Sequence, residues 1–348
     1  MRMLVYLRFY VYTFYSMTYV YVLVTSDDDL YYEQALMSLF SLRLHMQEAN
    51  IVLLVDNKTY RSFTKKRNAI KQYTSDIIPI NFDSTVRNIE RSRLIKTAIP
   101  EYVHDDFLYI DCDTIICENL SNIERFNCNT AGVLDGHVML DDHVHKDYFL
   151  KRDKKLGFCG TKKSQYNING GVIFARNCDE TKTLFKAWNT VWKYSAYEKH
   201  DFHDQSALNE ANIRTGMKMQ LLPGEWNCQL SHGGLAYLKD AKIIHYYSSE
   251  FGGKNYLPYY KLADASLLKR IKESGTIPDD IKTMIESPKF QFNKVHLVND
   301  KRIVSIMQSP LLFTLADMKS HAPHVFKFFE AQAGGIRALA KKVKRLKR

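Results

Sequence analysis

Asp111-Cys112-Asp113 closes an apolar run, Phe107-Leu108-Tyr109-Ile110, that reads as a β-strand. Alternate side chains of extended backbone share a face, so the two carboxylates point one way and Cys112 the other. Two carboxylates at a strand end form a hard-oxygen site for Mg2+ or Mn2+, ions that commonly grip a diphosphate as well. Taken alone, the same triplet is equally an ordinary solvated turn. Ile243-Ile244-His245-Tyr246 also ends a strand-like run and leads into Gly252-Gly253-Lys254. A lone histidine is commonly a satisfied polar core residue. Joined to the two aspartates, His245 gives a mixed O/N donor set that favours Mn2+ over Mg2+, with Lys254 able to reach a phosphate oxygen.

Three more clusters carry polar groups of the right type. Thr25-Ser26-Asp27-Asp28-Asp29 follows the strand-like run Tyr19–Val24. Asn167-Ile168-Asn169-Gly170-Gly171-Val172 opens a strand with two glycines, which lets a ligand approach the backbone closely. Asp204-Gln205 begins a helix, where carboxylate and amide serve equally as capping groups.

Such residues meet only if the chain delivers them to one edge of the fold. Tyr32, Leu36, Leu39 and Phe40 recur at helical spacing behind the first strand, with the preceding aspartates as caps. Ile51–Val55 is a continuous apolar run ending in Asp56, as in a strand buried on both faces. Lys58–Tyr73 reads as a polar helix, Ile77–Ile80 as a short strand, and Arg87–Ile99 as a helix stopped by Pro100. Gly132–Leu134, Val172–Ala175, Met219–Leu222 and Ile243–Tyr246 are strand-like; Thr181–Tyr197 and Gln205–Ala211 are helical. This alternation predicts an α/β fold with a mainly parallel sheet flanked by helices, in which ligands sit outside the carboxyl ends of the strands. Thr25–Asp29, Asp111–Asp113 and His245 all fall at such ends.

Composition is compatible with this architecture. The 348 residues are 45% hydrophobic and 25% charged, and 22 tyrosines with 19 phenylalanines exclude a mostly disordered chain. Fifteen glycines and eight prolines exclude a collagenous one. Of the net charge of +11, seven units come from Arg337, Lys341, Lys342, Lys344, Arg345, Lys347 and Arg348, leaving +4 on the rest. The basicity is thus a tail property, which argues against a nucleic-acid-binding face on the body. Six cysteines without a CxxC pair form neither a disulfide framework nor a zinc site, and fit a reducing cytoplasm. Residues 1–16 are an apolar extension with Arg2 and Arg8 as its only charges. A membrane anchor there would consume the first strand and bury Arg8 in the bilayer, so an accessory extension before a natural start at Met17 is expected instead. A catalytic domain is expected over 17–260, a C-terminal helical appendage over 261–333, and a basic amphipathic tail over 334–348.

The order of the motifs is more specific than any one of them. Ser26-Asp27-Asp28-Asp29, Arg93-Leu94-Ile95-Lys96, Tyr109-Ile110-Asp111-Cys112-Asp113, Asn169-Gly170-Gly171-Val172, Asp204-Gln205-Ser206-Ala207-Leu208-Asn209, Leu222-Pro223 with Trp226-Asn227, and Ile244-His245 follow one another along the chain. This series resembles family 8 of the retaining glycosyltransferases, over roughly Thr18 to Lys254. The resemblance implies a GT-A fold, a UDP-sugar donor (UDP-glucose or UDP-galactose), Mn2+ with Mg2+ as the alternative, and a saccharide or glycolipid acceptor. It implies Asp111, Asp113 and His245 as metal ligands, and Thr25, Asp27 and Asp29 around uracil and ribose. Arg93, Cys112, Asn169 and Lys254 would lie around the donor sugar, nucleotide and phosphate. Asp204 and Gln205 would lie near the anomeric carbon, and Asp135 by the acceptor. The chain departs from the family pattern in the longer stretch between His245 and Lys254, and in Gly170, where many members have alanine.

The difficult step in such a transfer is cleavage of the bond between anomeric carbon and diphosphate. A divalent ion neutralises the charge left on the diphosphate, and a basic side chain adds to it. Gln205 is a poor nucleophile, so the expectation is front-face displacement. Asp111-Cys112-Asp113-Thr114 also fits a haloacid-dehalogenase-type phosphohydrolase, and an inactive nucleotide-sugar-binding protein is the other alternative. In the tail, Ile336, Leu339, Val343 and Leu346 share one helical face opposite most of the basic residues. That pattern fits an anionic membrane surface and a cytoplasmic protein held at the inner face of the membrane.

Overall fold

The computed structural model describes residues 17–143, 145–230, 233–247, 260–293 and 310–346. The apolar extension over 1–16, Lys254 and most of its loop lie outside them. The chain divides into two compact units, one running to Gln291 and the other from Phe292.

The first unit begins with β1 (Thr18–Leu23), buried at every position, and α1 (Tyr31–His45). Next come β2 (Asn50–Asp56), α2 (Asn57–Ser62) and β3 (Asp76–Ile80). They are followed by α3 (Asn88–Lys96), α4 (Ile99–Tyr102), β4 (Phe107–Ile110), β5 (Thr114–Ile116) and β6 (Thr130–Leu134). After α5 (Lys146–Leu156) and α6 (Gly160–Ser164) come β7 (Ile168–Ala175), α7 (Asp179–Lys193) and α8 (Gln205–Arg214). The unit closes with β8 (Met219–Leu221), β9 (Cys228–Gln229), β10 (Ile243–His245), α9 (Ala265–Ser274) and α10 (Asp279–Glu286).

Seven strands form one sheet in the order β3-β2-β1-β4-β7-β6-β8. All neighbours are parallel except β7, which runs antiparallel to both β4 and β6. This is the mainly parallel mixed sheet with flanking helices that the sequence predicts. The centre of the sheet is covered on both faces, so β1, β4 and β7 are apolar runs without alternation. Val20, Val22, Leu54, Tyr109 and Ile173 of the strands pack in one core with Leu184, Trp188 and Trp192 of α7.

A second, three-stranded sheet, β5-β10-β9, is where the structure departs from expectation. His245 ends β10 in this small sheet, opposite Thr114 on antiparallel β5, and not in the main sheet. The turn at Asp111–Asp113 leads from β4 of one sheet to β5 of the other, so a short reversal brings the histidine to the two aspartates. α1 fixes that turn from below: Ser41 Oγ accepts from the Ile116 amide at 2.8 Å, and the Ser38 and Thr114 hydroxyls bond at 2.7 Å.

Helix boundaries also differ. Leu30, not an aspartate, sits at the N-cap of α1, while Asp29 accepts from the Tyr31 amide at 3.1 Å. Arg87–Ile99 is not one helix: α3 ends at Lys96, and Pro100 lies in the first turn of α4, where its missing N–H costs nothing. Lys58–Tyr73 splits into α2 and a separate 3₁₀ segment, Lys65–Gln72. α9 and α10 pack on α1, and Lys272 Nζ reaches the backbone carbonyls of Asp27 and Asp29.

The second unit contains α11 (Pro310–His321) and α12 (Pro323–Leu346). Each opens on a proline, whose fixed φ suits the first helical turn. Phe328 and Ile336 of α12 are 61% and 71% exposed. No helix among the described residues is long and apolar enough to cross a membrane.

Candidate active site

β4 delivers Asp111 to the edge of the sheet, and its amide continues the β4–β7 pairing by donating to Gly171 O at 2.8 Å. One Asp111 carboxylate oxygen accepts from the Tyr109 hydroxyl and lies 3.3 Å from Lys96 Nζ. Cys112 Sγ turns back into the sheet toward Val22 O at 3.4 Å, and burial pushes its thiol well up, so no thiolate forms there. Asp113 Oδ1 lies 3.3 Å from His245 Nε2.

Asp111, Asp113 and His245 each offer one donor atom, all within 4.8 Å of one another. Donors sharing a hard divalent ion at about 2.1–2.4 Å lie roughly 3 Å apart when adjacent in its shell, so the trio fits such an ion. The histidine is oriented from behind: its Nδ1 lies 3.0 Å from Asn227 Oδ1, and its ring stacks on Tyr247 with centroids 4.3 Å apart. Such a partner on the remote ring nitrogen is what fixes a ligating imidazole. Burial alone would raise the Asp113 carboxyl, but the His245 imidazole outweighs it and holds the acid below its usual range. Burial likewise opposes the charged imidazole, and Asp113 reverses this, raising His245. The second glycine of β7 is explained here. A Cβ on Gly171 would lie 2.5 Å from His245 Cε1.

Two clefts flank this region, and the two aspartates of the trio line the first of them. One, of about 380 Å³, is lined by Asp29, Tyr31, Asn88, Ser92, Arg93, Asp111, Cys112 and Asp113. The other, of about 480 Å³, is lined by Asp135, Tyr148, Phe149, Asn169, Asp204, Gln205 and Tyr247. Asp204 occupies the N-cap position of α8, yet its side chain makes no capping bond. It turns instead to Arg93 Nε at 3.3 Å and Lys96 Nζ at 3.1 Å. Burial would raise this acid, and the two cations hold it far below the usual carboxylate range. Asn169 knits the second cleft together: its amide nitrogen donates to Asp135 Oδ1 at 3.0 Å and to the Tyr247 hydroxyl at 3.1 Å. Its oxygen accepts from Asn227 at 2.9 Å and from the Gly171 amide at 2.9 Å. Asp135 Oδ2 lies 3.3 Å from His143 Nε2.

The first cleft therefore gathers Asp29, Arg93, Asp111, Cys112 and Asp113, and the second Asp135, Asn169, Asp204 and Gln205. Buried His245 lines neither but touches Asp113 of the first and Tyr247 of the second. Thr25 and Asp27 belong to the loop beside the first cleft and do not line it. Thr25 is buried, donates to Asp29 Oδ1 at 2.5 Å and accepts from Arg67 at 3.0 Å. The Asp27 side chain is 90% exposed and pairs with Arg67 at 3.1 Å. Sequence reasoning assigned no role to Lys96, Asn227 or Tyr247. A usable signal existed for Lys96 alone, because it falls one helical turn after Arg93 on the same face of α3.

A family model described as Glycosyl transferase family 8 matches residues 56–250, more than half of the chain. No curated protein matches. Among solved structures, apo mouse xyloside xylosyltransferase 1 is similar over 66% of this chain and 97% of its own, at 12% identity and a TM-score of 0.45. The glycosyltransferase GlyE of Streptococcus pneumoniae TIGR4 is 15% identical over 78% of this chain and 62% of its own, with a TM-score of 0.45. Galactosyltransferase LgtC, in complex with donor and acceptor sugar analogs, is 15% identical over 77% and 99%, with a TM-score of 0.46.

Proposed function

We propose, from the premise that the chain belongs to glycosyl transferase family 8, that this glycosyltransferase moves a hexose, glucose or galactose, from a UDP-sugar to a glycan or lipopolysaccharide-type acceptor. In this reading the transfer retains anomeric configuration and depends on Mn2+, with Mg2+ as the substitute. The observation that carries it is the Asp111/Asp113/His245 trio, whose two aspartates line a cleft with Arg93, which in turn pairs with Asp204 of a second cleft that also holds Gln205 and Asp135. The first cleft takes the nucleotide sugar and the second the acceptor. Family membership displaces the phosphohydrolase alternative.

Asp111, Asp113 and His245 would hold the ion, which supplies Lewis-acid neutralisation of the departing diphosphate. Arg93, at the border of the donor cleft, adds a fixed positive charge that needs no reorganisation during the reaction. Thr25, Asp27 and Asp29 form the loop beside the uracil and ribose, and Lys254 belongs to the phosphate end of the donor. Asp135 orients the acceptor hydroxyl, and Asn169, assigned to the donor sugar, holds that carboxylate in one rotamer through their hydrogen bond.

Asp204 is a poor covalent nucleophile, because one oxygen faces Arg93 and the other Lys96. Gln205 is neutral and weaker still. Front-face displacement, with the acceptor entering on the side the diphosphate leaves, is the route these groups favour. Beyond the catalytic unit, the basic tail is assigned to an anionic membrane surface on the cytoplasmic side, where a lipid-borne acceptor would lie.

Incubation with a panel of UDP-sugars, without acceptor, tests the reading. One donor is expected to release UDP slowly with Mn2+ and to stop with EDTA. Phosphate-monoester cleavage in place of UDP release would overturn it, and a glycosyl adduct trapped on Asp204 would overturn the front-face step.

A further inference from the structure

A buried ammonium persists only where it is paired, since desolvation of the charge is expensive. Lys96, 4% exposed, meets that requirement with two carboxylates from different places. Its Nζ lies 3.3 Å from Asp111, which lines the donor cleft, and 3.1 Å from Asp204, which lines the acceptor cleft. Lys96 itself lines neither cleft. The ammonium sits 4.9 Å from the centroid of the Tyr109 ring, whose negative face favours a cation there. Gly170 of β7 lies against the pair: a Cβ at that position would be 3.5 Å from Nζ and 3.9 Å from Asp204 Oδ2, ordinary contact distances.

We propose that Lys96 is a positioning residue that couples the two clefts. It holds the Asp204 carboxylate in register with Asp111 and competes with a divalent cation for the Asp111 oxygen. This rests on the glycosyltransferase reading above for its effect on turnover, though not for its effect on ion binding. Without the lysine, Asp204 keeps only Arg93 among the ion pairs of the described residues, and the two carboxylates lose the cation that stands between them. The same loss removes a positive charge from beside the trio, so an ion binds there more tightly.

The two effects have opposite signs, and that separates positioning from a merely structural role, which would weaken both together. Mn2+ binding in the absence of turnover, followed by electron paramagnetic resonance, reads one; steady-state UDP release reads the other. For Lys96→Met, Mn2+ is expected to bind about tenfold more tightly, while kcat falls about 100-fold and donor KM stays within about threefold. Lys96→Arg keeps the charge and is expected to return the Mn2+ affinity to the wild-type value. Asp204→Asn, which frees Lys96 to pair wholly with Asp111, is expected to weaken Mn2+ binding, although Asp204 is outside the trio; this variant decides the matter if Lys96→Met does not fold. Weaker Mn2+ binding in Lys96→Met, an unchanged kcat, or an unchanged Mn2+ affinity in Asp204→Asn would each overturn the coupling. A wild-type protein that binds Mn2+ but releases no UDP from any donor would instead overturn the function while leaving the ion-binding comparison intact.

Discussion

Gly170 and Gly171 are adjacent and chemically identical, and the structure assigns them opposite tolerances. A methyl at Gly170 meets Lys96 Nζ at an ordinary contact distance of 3.5 Å, whereas at Gly171 it meets His245 Cε1 at 2.5 Å and Asn169 Oδ1 at 3.0 Å. Gly170→Ala is therefore expected to keep UDP release within about twofold, while Gly171→Ala displaces the imidazole and weakens Mn2+ binding about tenfold or more; titration of both variants with Mn2+ checks the contrast. Asp204 makes a second residue-scale prediction, through pH. Its acid is depressed in the fold by Arg93 and Lys96 despite burial, so its contribution to stability is fully present above the unfolded carboxylate value, near pH 4. That contribution is lost as pH falls from there toward the depressed value, and Asp204→Asn should flatten the acid limb of a pH–stability curve measured by urea denaturation. An acid limb unchanged in the variant would contradict the assigned charge pairs. At this scale much was legible in the sequence. Asp111, Asp113 and His245 stand out by type and strand-end position, whereas Lys96 offers only its spacing from Arg93, which places it on the same helix face without telling a buried bridge from a solvated lysine.

At the scale of elements, the site depends on a change of sheet. β4 ends in the main sheet, three residues turn, and β5 begins the small sheet that carries His245 opposite Thr114. α1 supports this turn through Ser41, whose hydroxyl accepts the Ile116 amide on the side of β5 away from β10. Ser41→Ala leaves that buried donor unpaired and is expected to destabilise the fold by about 1–3 kcal/mol, read from the urea midpoint at unchanged m-value. The seven-strand sheet was legible because its central strands are long, apolar and separated by helices. β5, β9 and β10 are two or three residues long, too short for any hydrophobic period to declare their sheet. The same limit explains the helix ends: Pro100 reads as a stop from sequence, and only the packing shows that it starts a new turn.

For the molecule as a whole, charge is unevenly divided. The body carries little net charge, and the excess is gathered in the last fifteen residues, beyond every residue assigned to the two clefts. Removal of residues 334–348 is accordingly expected to leave UDP release unchanged and to abolish sedimentation with anionic vesicles; retained sedimentation would contradict the role given to the tail. The central claim is that Asp111, Asp113 and His245 hold the ion against which a nucleoside diphosphate binds. Calorimetric titration with UDP, with and without Mn2+, in the wild-type protein and in Asp113→Asn tests it most directly. The account predicts UDP binding that requires Mn2+ and is lost in the variant; UDP binding of equal strength in all four titrations would contradict it.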